Sequence, residues 1–436
     1  MSPHVVSILV LVAIFVVGTL WSINLGALAL VACFLVGTWV FGKSTNDVLE
    51  AFPAQLFVIL VGVTFLFSIA RNNGTIDWLV QWAVRAVRGH VAAIPWVMFV
   101  LSGLLVALGA LSPAAIAIIA PIGIALGVRY GISPLLMGLM VVHGSAAGNF
   151  SPLGVLGVIT NGIVERSHIP GSPTFLFLSN ALLNLLIGIG IYVAFGGWQL
   201  LRAGRRSHEV PVAESTSDSS GGSGGTALRT KPATDTITLN RDRTITVLGM
   251  VALVVGALVF AVDIGLLALS VAVVVSMLAP ASAKGALAQV SWNVVLLICG
   301  IVTYIGLLES AGTVRYLGEG IAAISAPALA ALVVCFVGAV VSAFASTTGI
   351  LGALIPLAVP LLATGHVGAI GLVAALSVSS SVVDASPFST NGALVIANTP
   401  ADQQAVVYRR LMVWGFGLVL IAPIVTWALL VWPGWW

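Results

Sequence analysis

Long apolar runs separated by a few polar or glycine residues recur along the chain, and about 17–25 apolar residues cross a bilayer as one helix. On that spacing the first half predicts crossings at residues 5–21, 23–41, 55–71, 134–163 and 174–197. The second half predicts them at 244–262, 264–280, 292–308, 368–399 and 411–432. Two further runs, 95–128 and 327–363, are too long for one helix and have arms too short for two. Each is broken by hydroxyl residues, at Leu111-Ser112-Pro113 and at Ser346-Thr347-Thr348. They predict re-entrant hairpins with their tips inside the membrane, where free backbone groups need surrounding protein or a cavity. The crossings at 134–163 and 368–399 are themselves interrupted, at 144–152 and 380–391, by glycine and polar residues. Pro152 is placed to start the second part of the first, since proline at the first helical position forfeits no hydrogen bond.

The two halves repeat one another. Residues 103–154 lie on 338–389 at a constant shift of 235, which sets Gly103 on Gly338, Ser112 on Thr347, Pro121 on Pro356, Ser145 on Ser380, Asn149 on Asp384 and Ser151-Pro152 on Ser386-Pro387. Upstream, a shift of 238 sets Gly62 on Gly300 and Gly74-Thr75 on Gly312-Thr313. The fold expected is an all-α polytopic membrane protein built from two five-helix units, residues 1–197 and 244–436, each with a hairpin and a broken helix. Five crossings per unit place the second unit upside down relative to the first, which is an inverted repeat. Between them, residues 198–243 change character to a flexible linker with a Ser/Gly-rich stretch at 215–226.

Composition leads to the same class: 59% hydrophobic and 7% charged residues, with a mean hydropathy of +1.15, leave too much apolar surface for an aqueous globule. Cys33, Cys299 and Cys335 show neither a disulfide framework nor metal-ligand spacing. The first apolar run has no basic flank and no small-residue cleavage site, so it reads as a retained helix. With both termini outside, fourteen basic residues fall on the inner face and only Lys43, Arg166 and Arg315 on the outer, and these account for all 17. Discounting the linker still leaves seven against three, which orients the chain with the linker in the cytoplasm. From Ile76 to Arg88, apolar residues at helical spacing opposite Asp77, Gln81, Arg85 and Arg88, with Trp78 and Trp82, predict an interfacial helix, with a shorter copy at 313–321. It reads as an ordinary connector or as a link between a fixed scaffold and a moving part.

Two tips and two breaks bring unwound backbone to mid-membrane, where N–H groups at half-helix starts attract anions and free carbonyls coordinate cations. The breaks carry short hydroxyls and amides and no lysine or arginine. A bound anion is then held by hydroxyls, backbone dipoles and co-bound cations, which argues for symport. Asp384 is the single acidic residue in the breaks. A charge at that depth costs about 2.5–3.5 kcal/mol or more unless paired, so it reads as a cation or proton site or as a carboxyl capping a helix that begins at Pro387. His143, just before the first break, reads as a proton relay or as a packing residue. Asn161 and Asn398 lie behind the site.

Tip, proline and Gly/Ser/Pro break, given twice, resemble the ion transporter superfamily. Within it the chain is similar to divalent-anion/sodium symporters and, through GSAAGNFSPLG, to bacterial dicarboxylate carriers of the malonate-uptake type. That family's Ser-Asn-Thr tip signature is kept only in part, since both tips lack the asparagine and Pro113 stands in place of the first threonine. The resemblance implies that the tips touch substrate carboxylate or sodium and that the breaks complete two cation sites. Together with the side chains read at the breaks, this gives Ser112, Asn149, Ser151, Thr347, Thr348, Ser386, Thr390 and Asn391 as the expected substrate-binding residues, and Ser112, Ser145, Asn149, Ser346, Ser380 and Asp384 as the expected cation-binding residues. The resemblance also implies a homodimer and an elevator-like motion of the hairpin domain.

The expected function is secondary active transport of a small organic anion such as malonate, malate or succinate across the plasma membrane with Na+ or H+, with no other cofactor and no nucleic-acid partner. A cation/proton or oxyanion exchanger of the same superfamily, or the membrane subunit of a binding-protein-dependent uptake system, are the alternatives. An enzyme is not expected, for the chain has no HExxH, no GxSxG with a partner and no carboxylate pair.

Overall fold

Each predicted crossing appears as one or more helices in the computed structural model, which describes residues 2–21, 23–86, 90–202, 238–260, 262–313, 316, 327–344, 347–363 and 367–434. Among these there is no strand. The first half comprises α1 (Pro3–Leu20), α2 (Leu25–Leu35, continued as a π turn to Val40), α3 (Thr45–Glu50), α4 (Ala54–Asn72), α5 (Thr75–Ala86), α6 (Ile94–Ala107), α7 (Ser112–Tyr130), α8 (Pro134–Gly148), α9 (Val155–Arg166), α10 (Pro173–Ala194) and α11 (Gly197–Arg202). The second comprises α12 (Arg241–Leu258), α13 (Ile264–Leu278), α14 (Pro280–Ala283), α15 (Trp292–Ser310), α16 (Pro327–Phe344), α17 (Thr347–Ala363), α18 (Ala369–Val382), α19 (Thr390–Ala397) and α20 (Gln404–Thr426). Six helical segments are long and apolar enough to cross a membrane, among them α4, α10 and α15. Most of the linker lies outside the described residues, and so does most of the shorter interfacial copy. The first interfacial helix is present as α5, with Ile76 buried and Trp82 exposed.

α8 and α18 form the centre. Every residue of α8, and all of α18 but Ile370, is buried, as expected of helices apolar on all sides. α6, α7 and α10 pack on α8, and α16, α17 and α20 pack on α18. α10 turns Leu178, Leu182, Leu186 and Val193 outward, an apolar face suited to lipid.

The halves are joined by contacts made twice. α2 crosses α15 where Gly26 meets Gly300, and α13 crosses α4 where Gly265 meets Gly62. A Cβ on Gly26 would lie 1.8 Å from the Leu296 oxygen, and one on Gly300 would lie 2.0 Å from the Gly26 oxygen. At the second crossing a Cβ on Gly62 would lie 2.8 Å from the Leu269 nitrogen. Small residues let helix backbones touch in this way where lipid provides no hydrophobic drive. Gly74 (φ 71°) and Gly312 (φ 77°) each form a left-handed turn followed by a fully buried threonine. Ser7 of α1 reaches the Gly312 turn, its Oγ 3.4 Å from Thr313 Oγ1, and Thr246 of α12 reaches the Gly74 turn, accepting from Asn73 Nδ2 at 2.7 Å. Likewise Tyr192 donates its hydroxyl to the Ala92 carbonyl (2.9 Å), and Trp427 its indole N–H to the Ala328 carbonyl (2.7 Å). Gly26→Ala and Gly300→Ala are therefore expected to destabilise the protein by about 1–3 kcal/mol or more through overpacking. Gly190→Ala and Gly417→Ala, where a Cβ would meet nothing within 4 Å, are expected to leave it unchanged. Thermal unfolding of the purified protein checks both.

Four features differ from the sequence reading. Gly144–Gly148 is helical rather than unwound, because these glycines serve a close crossing: a Cβ on Gly144 would lie 2.2 Å from the Phe99 oxygen, and one on Gly148 2.3 Å from the Gly103 oxygen. The helix after the first break starts at Val155, not at Pro152, and the one after the second starts at Thr390, not at Pro387. The last crossing begins earlier than 411, at Gln404.

Candidate functional site

Both breaks fold alike, and one glycine in each dictates how. Gly157 and Gly392 lie against the carbonyls of Ser151 and Ser386, where a Cβ would come within 2.0 Å of the oxygen in either case. The backbone turns match as well: Ser151 N donates to Gly148 O and Gly154 N to Ser151 O, while Ser386 N donates to Val383 O and Ser389 N to Ser386 O. Each break is tied to its own hairpin by its serine, Ser151 Oγ donating to Ala107 O (2.7 Å) and Ser386 Oγ to Ala343 O (3.3 Å).

The tips then meet the breaks through matched side chains. Ser112, in the first turn of α7, donates its hydroxyl to Asn149 Oδ1 at 2.8 Å, and Thr347, the first residue of α17, donates to Asp384 Oδ2 at 2.8 Å. These are the same two positions of the repeat in each unit. Asn149 Nδ2 donates across the pseudo-symmetry to Ser381 Oγ at 2.8 Å, locking one break to the other. Asp384 does not cap the following helix; Ser389 does, its Oγ accepting from Gly392 N.

Between these groups lies a cavity of about 310 Å³. Ser112, Asn149, Thr347, Asp384, Thr390 and Asn391 are brought together on its wall, and among the described residues no lysine or arginine lines it. Residues at the N-terminal ends of α7, α9, α17 and α19 also line it, so four helix starts converge on one small volume. Each carries roughly half a positive charge. An anion is the ligand that such a ring favours.

Other residues singled out from sequence fall elsewhere. Ser151 and Ser386 turn their hydroxyls to hairpin carbonyls and do not line the cavity. Ser145 accepts from the Ser112 hydroxyl at 3.3 Å and donates to its own helix at Val142 O without lining the cavity, and Ser380 lies buried with no partner for its Oγ within the protein. Ser346 and the side chain of Thr348 lie outside the described residues. His143 packs between Asn184, at 3.1 Å from Nδ1, and Trp414, whose indole N–H donates to Nε2 at 3.1 Å. Both ring nitrogens are thus engaged within the protein, the arrangement of a packing imidazole. Asn161 lines a different cavity, and Asn398 donates back to Leu394 O.

Three residues of the site are not evident from sequence. Ser342 bridges Thr347 Oγ1 and the Ser380 carbonyl, both at 2.7 Å, Ser381 receives Asn149, and Asn180 donates to the carbonyls of Ala146 (2.8 Å) and Ala147 (3.1 Å). Ser342 and Asn180 are polar residues in apolar runs, for which the repeat offers no polar counterpart, and Ser381 is one of several serines around the start of the predicted break.

Residues 1–149 match the family model of the dicarboxylate carrier protein MatC N-terminus, and residues 251–434 match that of the citrate transporter family. Among proteins of curated function, none matches the chain. One half resembles a dicarboxylate carrier and the other a citrate transporter, both of the ion-transporter type.

Proposed function

We propose that this chain, a multi-pass membrane transporter of the dicarboxylate and citrate kind and not an enzyme, moves a small dicarboxylate by symport with a cation bound at Asp384. The observation that carries the reading is the cavity walled by both tips and both breaks, ringed by four helix starts and holding one carboxylate. Four helix ends supply about two positive charges in all, which suits a dianion. Asp384 opposes it. At roughly 5 Å and an effective dielectric of about 20, an unpaired carboxylate repels each anionic charge by about 3 kcal/mol. A cation on Asp384 removes that repulsion, so anion and cation bind together or weakly, and this is coupling.

The remaining parts of the reading follow from sequence: the second unit inverted relative to the first, both termini outside, the linker in the cytoplasm of a plasma-membrane protein, and a homodimer as the resemblance implies. Malonate, malate and succinate are the substrates favoured, a cavity of about 310 Å³ being near the small end of ligand sites. The test is uptake of labelled malonate, succinate and citrate into proteoliposomes of the purified chain, with the Na+ and proton gradients varied independently. Dicarboxylate accumulation driven by an inward cation gradient is expected. Failure to transport any of them, or anion uptake that drives the cation outward, would overturn it.

A further inference from the structure

Two copies of one fold offer two equivalent places for a cation, yet the copies are not equally equipped. At the first break the acceptors are already taken by donors of the protein. Asn180, fully buried, gives its amide hydrogens to the Ala146 and Ala147 carbonyls, Ser112 occupies Asn149 Oδ1, and Gly157 N donates to Asn149 O (3.0 Å). Beyond this break, Gly154, Val155 and Leu156 bring no side-chain oxygen.

The second break is tied in the same way at two of these points, Thr347 donating to Asp384 Oδ2 (2.8 Å) and Ser389 Oγ to the Asp384 carbonyl, but it differs at the place of Asn180 and in the side-chain oxygens it brings. The register of α10 on α20, fixed by the matched bonds of Tyr192 and Trp427, sets Gly415 at the place of Asn180, so no side chain there reaches the end of α18. Asp384 replaces Asn149, and Ser389, Thr390 and Asn391 replace Gly154, Val155 and Leu156. Asn391 is only 5% exposed, lines the cavity with Asp384, and its Oδ1 has no hydrogen-bond partner in the protein. A buried acceptor without a donor costs about 1–3 kcal/mol. An amide oxygen and a carboxylate on one wall suit a hard cation, which oxygen ligands hold.

We propose that the protein binds one alkali cation, on Asp384 and Asn391 in the second unit, and that the Asn180 carboxamide fills the place a second cation would take at the first break. Asn180 is thus a positioning residue that sets the coupling ratio. The proposal rests on the transport reading for its meaning, but the site can be measured without the anion.

The test is thermal unfolding of the purified full chain in detergent, titrated with Na+ and Li+ against a choline background at fixed pH. An upward shift is expected whose limiting slope of stability against the logarithm of cation concentration corresponds to one bound ion, lost in Asp384→Asn and displaced at least tenfold to higher concentration in Asn391→Leu. The variant Asn149→Asp with Leu156→Asn and Asn180→Gly, which copies these three residues of the second unit into the first, is expected to raise the slope towards that of two ions. A wild-type slope of two ions, a shift untouched by Asp384→Asn and Asn391→Leu, or a response to pH but to neither cation overturns the cation site. A folded symmetrised variant that stays at one ion overturns the role of Asn180, and so does a wild-type slope of two should that variant not fold. Absence of dicarboxylate uptake would sink the transport reading and leave this result standing.

Discussion

Asp384→Asn is expected to lower cation-driven dicarboxylate accumulation by about 10- to 150-fold while leaving the protein folded. The range corresponds to the roughly 1.5–3 kcal/mol of a contact with a charged group, at about 1.4 kcal/mol per factor of ten. The substitution makes the second break match the first, where Asn149 already occupies this position and takes a serine hydroxyl at the distance at which Thr347 bonds Asp384. Geometry is therefore preserved and charge alone is lost. The sign of the effect on binding is informative. Wild-type protein should bind the anion weakly without cation and tightly with it, whereas the variant, freed of the carboxylate, should bind it with an affinity that cation does not change. Calorimetric titration with and without Na+ separates this from a structural role, for which cation dependence would persist in whatever protein survives.

Gly157→Ala and Gly392→Ala are expected to reduce transport about 100-fold each, and by similar amounts. Either substitution drives a methyl to within 2.0 Å of a carbonyl oxygen, that of Ser151 or Ser386, and backbone cannot swing aside as a side chain would. The break must open, and a displacement of about 1 Å at a binding site can cost a factor of about 10². Equality is the stronger part of the prediction, because it follows from one loop geometry built twice. Uptake per amount of monodisperse protein measures it, with Gly190→Ala and Gly417→Ala as controls.

Much of this architecture was legible in the sequence because lipid leaves few options: helices must be long and apolar, and their interruptions must be enclosed. Residues Ser112 and Asn149 could be set against Thr347 and Asp384 before any coordinates, and the structure makes the same hydrogen bond in both pairs. The glycines were harder to interpret. Gly144 and Gly148 read as helix breakers, yet they permit α6 and α8 to touch backbone to backbone. The sequence cannot distinguish these uses, since both demand a missing side chain. Ser151 and Ser386 drew attention by repetition, but what repeats is a tie between break and hairpin, away from the cavity wall. Asn180 and Ser342 stayed hidden for the opposite reason: their partners lie 34 and 38 residues away, and a lone polar residue in an apolar helix gives no sign of where it points.

The central claim is that a dicarboxylate sits between the hairpin tips and the breaks. Thr390 lines that cavity and is exposed, while the three native cysteines are buried, so Thr390→Cys provides a single reactive thiol at the site. Its rate of labelling by a small thiol reagent, measured with and without malonate or succinate in the presence of Na+, is the direct test. Labelling slowed at least tenfold by anion and cation together, and little by either alone, is the predicted result. Labelling at the full rate under anion concentrations that saturate transport would place the substrate elsewhere and contradict the account.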